Sequence, residues 1–221
     1  MVESSLTLGY WAIRAADRGN VNRYILAYKN VNYTAKNYTF DNADEWKVQD
    51  KAGLGLDFPN LPYIIDGDFK LTESAAVTTY ICDKFAPELM GTTPEQRAQV
   101  TMLQCVLKDH FMSFMPLAFQ GKPQEEVAAK NLEGWPKIAA ALGDKNFLVG
   151  DSVTMVDFFL WELLETTMAM CKDKRIYTAH PKLEAFNGRM KALPTFAAFL
   201  ASDKFIKNAF FPPMVALDMV V

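Results

Sequence analysis

The sequence predicts a small α/β domain followed by an all-helical one, and three observations carry that prediction. Strand-like runs are confined to the first third of the chain. After about Thr92 the apolar residues recur at helical spacing, separated by short breaks. The length, 221 residues, exceeds one average domain and falls short of two full ones. The expected division is an α/β unit over residues 1–87, a linker over 88–93 and a helical unit over 94–221.

Ser5 to Trp11 alternates apolar positions with β-branched and aromatic character and reads as a strand. Val21, Ile25, Leu26 and Tyr28 give a helix from about Arg14 to Asn30, and Tyr33 to Thr39 gives a second strand, completing a βαβ unit. Asp41 to Gly55 is too rich in charge and glycine to be core. Pro59 to Ile65 resumes a strand, Asp66-Gly67-Asp68 turns tightly, and Phe69 to Leu71 returns before a helix from Thr72 to about Phe85. Pro94-Glu95-Gln96 opens a long helix with proline and acid in its first turn. A second is expected over about Gln124 to Leu142. Thr154 and Asp157 form a capping box ahead of the very apolar Phe158-Phe159-Leu160-Trp161. Leu183, Phe186, Met190 and Leu193 line another helix, and Pro194 separates it from a short last one.

Composition narrows the function classes. Lys and Arg total 23 against 26 acidic residues, with no long run of one sign, which argues against nucleic acid as the main partner. Apolar residues reach 50%, yet charges and prolines interrupt them, so no membrane span is expected. No secretory signal is visible at the start. Cys82, Cys105 and Cys171 make neither a disulfide framework nor a zinc spacing, which suits a reducing cytoplasmic setting, and with two histidines no metal site is expected.

Three motifs carry chemistry. Tyr10 ends the first strand beside Gly9, where open α/β sheets place ligands. Leu54-Gly55-Leu56-Asp57-Phe58-Pro59-Asn60-Leu61-Pro62-Tyr63 puts a proline before a strand, a natural place for a cis bond that turns the Leu61 backbone towards a ligand. Glu73-Ser74 opens a helix, where the serine is either an N-cap or part of an anion site.

Together these resemble the thioredoxin-like, glutathione-binding domain of the cytosolic glutathione transferases, most of all the mu class, whose Gly-Tyr-Trp-x-Ile-Arg appears as Gly9 to Arg14 and whose Leu-Gly-Leu-Asp-Phe-Pro-Asn-Leu-Pro-Tyr string is unbroken. The resemblance spans nearly the whole chain. It implies that Tyr10 donates a hydrogen bond to the glutathione sulfur. Lowering a thiol pKa from about 8.5 by roughly two units requires about 2.7 kcal/mol, a reasonable demand on one hydroxyl in a partly dry site. It also implies glutathione contacts from Trp11, Asn60, Leu61, Glu73 and Ser74, with Lys51 and Trp46 at the glycyl end and Asp109 reaching a partner subunit's glutathione. Trp46 is out of register with the family pattern, leaving a surface aromatic as its alternative, and Asp109 has a solvated helix acid as its own.

Ile13, Met112 and Phe119 are expected to wall the site for a small hydrophobic electrophile, packing being the alternative for Met112. Phe119 replaces a family tyrosine, which implies weakness in reactions that need a hydroxyl donor, such as epoxide opening. Phe58 matches the residue that inserts into the partner subunit, implying a two-fold homodimer. No metal or redox cofactor is implied, glutathione being the co-substrate in a detoxifying conjugation. The alternatives are a low-turnover ligand carrier or structural protein on the same fold, and a glutathione-dependent isomerase.

Overall fold

The structure, a computed structural model, describes residues 6–14 and 19–219. A four-stranded mixed sheet of β1 (Leu6–Trp11), β2 (Thr34–Tyr38), β3 (Tyr63–Asp66) and β4 (Phe69–Thr72) runs in the order β2-β1-β3-β4. β1 pairs parallel with β2 across α1 (Asn20–Tyr28) and antiparallel with β3. Asp66 pairs with Phe69, so Gly67 and Asp68 form the two-residue hairpin turn, Gly67 supplying φ +61°.

The helix expected from Arg14 begins, among the described residues, at Asn20; the stretch 15–18 lies outside them. Arg14 itself is not helical, because its backbone N–H donates to Ala209 O at 2.6 Å. α1 is buried on every side from Asn20 to Leu26, packed among α3 (Ser74–Phe85), α7 (Met155–Cys171) and α10 (Pro194–Leu200). Asn30 ends the helical stretch at φ +51°, a conformation asparagine tolerates.

Two stretches before the long helix hold local structure that the sequence pattern does not mark. The polar stretch 41–55 holds a π-helical turn, Glu45–Asp50, running into the short α2 (Lys51–Gly53), and it sends Trp46 into a small core with Tyr10, Ile13, Tyr38, Leu56, Leu61 and Tyr63. The segment after Pro87 carries a 3-10 turn, Pro87–Met90.

α4 (Pro94–Phe119) starts at Thr93, whose hydroxyl accepts from the Gln96 backbone. The single helix expected over Gln124 to Leu142 is two, α5 (Gln124–Leu132) and α6 (Trp135–Leu142). Pro136 in the first turn of α6 cannot continue the preceding helix. Gly134 at the break also lies so close to His110 that a Cβ there would meet Nδ1 at 2.3 Å. The capping box forms as read: Asp157 Oδ2 accepts from the Thr154 N–H at 2.7 Å and lies 2.8 Å from its hydroxyl, while Oδ1 accepts from the Leu148 N–H at 2.8 Å. α8 (Arg175–Ala179), which periodicity did not suggest, precedes α9 (Pro181–Lys191) and α10.

One large apolar core joins residues of β1, β3, α1 and α3 to α4, α7, α9 and α10. Through it runs a buried ion pair, Arg14 Nη2 to Glu162 Oε2 at 2.8 Å, with the Tyr24 hydroxyl donating to the same oxygen at 2.6 Å.

Candidate active site

Antiparallel pairing of Gly9 with Tyr63 brings the Asn60–Pro62 segment beside the end of β1 that carries Tyr10. Gly9 is required there, since a Cβ would fall 2.1 Å from the Tyr63 ring. The Leu61-Pro62 bond is cis, as the sequence suggested. Tyr63 also pairs with Thr72, so Glu73 and Ser74 follow directly alongside that segment.

Glu73 adopts φ +73°, ψ +123°, a strained conformation for a residue with a side chain, and it occupies the cap position of α3 without capping it. Its carboxylate instead accepts from Asn60 Nδ2 at 2.9 Å, while Asn60 Oδ1 accepts from the Leu61 backbone at 2.9 Å. Ser74 is the first helical residue, so the N-cap reading of that serine is corrected. The result is a helix N-terminus with no side-chain cap and a serine at its mouth, suited to a carboxylate.

Tyr10 is 3% exposed, its ring against Gly19, where a Cβ would lie 2.1 Å away. Its ring face is approached by Arg23, whose Cζ is 5.6 Å from the centroid. Trp11 stacks on Phe40 at 4.5 Å and 15°. Trp46 is 6% exposed, stacked on Tyr63 at 5.9 Å and tilted against Tyr38 at 5.4 Å, so the surface-aromatic alternative is corrected. Lys51 is exposed at the start of α2. Asp109 is exposed on α4, about one turn before Met112, and does not line the cavity described next.

That cavity, about 320 Å³, is walled by Tyr10, Trp11 and Ile13 from the α/β part, by Phe111, Met112, Met115, Pro116 and Phe119 from α4, and by Phe40 and the tail residues Phe211, Pro212 and Met214. Ile13, Met112 and Phe119, the three residues expected to meet the electrophile, all line it, and Met112 is 41% exposed. The sequence leaves open whether the tail over 210–221 reaches this site, because irregular chain carries no periodicity to place it. Arg23 escaped it because α1 is buried all round, so no exposed face marks out the one charged position. Burial, opposed by the neighbouring tyrosines 33, 10 and 24, lowers the pKa of that guanidinium. Among the described residues no three of His, Cys, Asp and Glu gather as a metal site.

Comparison with known proteins agrees with this arrangement. The family model "Glutathione S-transferase, N-terminal domain" matches residues 6–83, and "Glutathione S-transferase, C-terminal domain" matches residues 108–203. The chain is 37% identical over 204 residues to the class-mu 26 kDa isozyme 51 of Fasciola hepatica, with 90% of each covered. It is 36% identical over 203 residues to the class-mu 26 kDa isozyme of Schistosoma japonicum, covering 90% of this chain and 89% of that one. The crystal structure of the glutathione S-transferase Blo t 8 superposes with a TM-score of 0.77 at 25% identity, covering 96% and 99% of the two chains. Strand-end tyrosine, uncapped helix start and apolar cavity thus occur in a chain that belongs to the glutathione S-transferase family, with class-mu enzymes among its relatives.

Proposed function

We propose that this transferase ionises glutathione through Tyr10 and adds the sulfur to small hydrophobic electrophiles, as a detoxifying cytoplasmic homodimer. The observation that carries the reading is the 320 Å³ cavity, in which the Tyr10 side chain meets an otherwise largely apolar wall. The γ-glutamyl carboxylate would dock on Ser74 and the free amides of α3, with Glu73 facing its ammonium group. The cysteinyl backbone would pair with Leu61, displacing the Asn60 side chain from its amide, and Lys51 would meet the glycyl carboxylate. Trp11 would pack beside the tripeptide, and Trp46 would support the glycyl end from the small core. Asp109 would act on the partner's glutathione across the two-fold axis.

In the reaction the thiol proton leaves to solvent, the thiolate attacks the electrophilic carbon, a C–S bond forms, and the leaving group departs with its electron pair. Tyr10 donates its hydroxyl hydrogen bond to the sulfur throughout and is not consumed. Ile13, Met112 and Phe119 hold the electrophile by apolar contact. Since Phe119 offers no donor, aryl substitution is favoured over epoxide opening.

Tyr10→Phe tests this directly. Glutathione should still bind, and kcat/KM towards an activated aryl halide should fall at least tenfold at pH 6.5, recovering as pH rises. Unchanged activity at pH 6.5 would sink the mechanism. Retention of the wild-type protein on a glutathione column without turnover would point to a carrier instead.

A further inference from the structure

Arg23 and Arg14 are both buried cations near the end of β1, and they are handled differently. Arg14 is neutralised by Glu162 at 2.8 Å. Arg23, 3% exposed, donates Nη1 to Asn20 Oδ1 at 2.5 Å and Ile13 O at 3.3 Å, and Nη2 to Trp11 O at 3.0 Å and Asn37 Oδ1 at 2.7 Å. Among the described residues all four acceptors are neutral oxygens. Two of them are carbonyls within three residues after Tyr10, and the guanidinium carbon stands 5.6 Å from the Tyr10 ring centroid.

We propose that Arg23 is a positioning residue for conjugation, fixing the Tyr10 ring and the backbone after it while its unneutralised charge favours the ionised sulfur over the thiol. This rests on Tyr10 being the hydrogen-bond donor to that sulfur. A buried cation bonded, among the described residues, only to dipoles keeps a field that a salt bridge would cancel. The lowered pKa of Arg23, caused first by burial, agrees with that incomplete compensation. Other titratable or charged groups around it are Tyr33, Tyr24, which donates to Glu162 of α7, Lys36 beside Asn37 on β2, and Lys204, which together with Arg23 lines a second cavity of about 380 Å³.

Asn37 provides the test, because it is exposed on β2, lines no part of the electrophile cavity and already bonds the guanidinium. Asn37→Asp keeps the size and the bond but adds the missing negative charge. The apparent pKa of bound glutathione, read from thiolate absorbance and from the pH profile of kcat/KM, should rise by about half to one unit. At pH 6.5 that is a three- to tenfold loss of kcat/KM, recovered by pH 9, with an unchanged or raised melting temperature. A purely structural Arg23 predicts the same melting behaviour and no movement of the profile, and that result would overturn the inference. Tyr10→Phe run alongside separates the two ideas. If it is impaired while Asn37→Asp leaves the profile in place, the inference alone falls; if it is unimpaired, the premise falls and takes the inference with it.

Discussion

His110 is a polar residue placed where water barely reaches. It is 8% exposed, its ring edge-on to Phe114 at 5.8 Å and Trp135 at 5.5 Å, with Nε2 3.1 Å from Asn131 Oδ1. Trp135 Nε1 donates to that same oxygen at 3.0 Å, so Nε2 of the neutral ring is the donor in its own bond. Burial pushes its pKa down to about 4, against an ordinary value of 6.5. Between those values the unfolded chain binds the extra proton, so this contribution to stability is complete above about pH 6.5 and is lost as pH falls towards 4. In urea unfolding, the stability gap between wild type and His110→Gln should be about 2 kcal/mol narrower at pH 5 than at pH 7; a gap independent of pH would contradict this account. At this scale the sequence was informative where chemistry is local: Tyr10, Leu61-Pro62 and Thr154/Asp157 sit as their motifs suggested. It was uninformative where a residue's role depends on distant chain, as with Arg23, whose partners come from β1, β2 and the start of α1.

Among the elements, α1 bears most directly on the site, because its start touches the Tyr10 ring through Gly19. A methyl group there cannot fit without moving the ring. Gly19→Ala should therefore lower kcat by about tenfold or more while leaving the far-ultraviolet spectrum intact, since misplacement by an ångström is enough for such losses. Wild-type kcat in that variant would mean that the ring yields without consequence. The apolar period marks the strands and the longest helices, but it does not separate α5 from α6, because both keep an apolar face and the break depends on Gly134 meeting His110, a contact made across the fold. It also took 41–55 for surface. One aromatic among many charges gives no period, and Trp46 is buried by Tyr38 and Tyr63, which lie on two different strands.

For the whole molecule, the largest exposed apolar groups are informative. Phe58 is 78% exposed, and Met102 and Val106 stand exposed one turn apart on α4. In the proposed homodimer a two-fold pair would use each Phe58 ring once in each direction. Phe58→Ala should dissociate to monomers at micromolar concentration in sedimentation experiments where the wild type remains paired; an equally tight variant would remove Phe58 from the interface. The ion pair between Arg14 and Glu162 has a different consequence at this scale. Its cation leaves β1 and its anion sits in α7, 148 residues later. Severing the chain between the two parts would give one fragment with a stranded guanidinium and another with a stranded carboxylate, each costing about 3–5 kcal/mol if buried alone. The pair therefore ties the packing around the end of β1 to that of α7, so that neither charge is buried well unless both elements are in place.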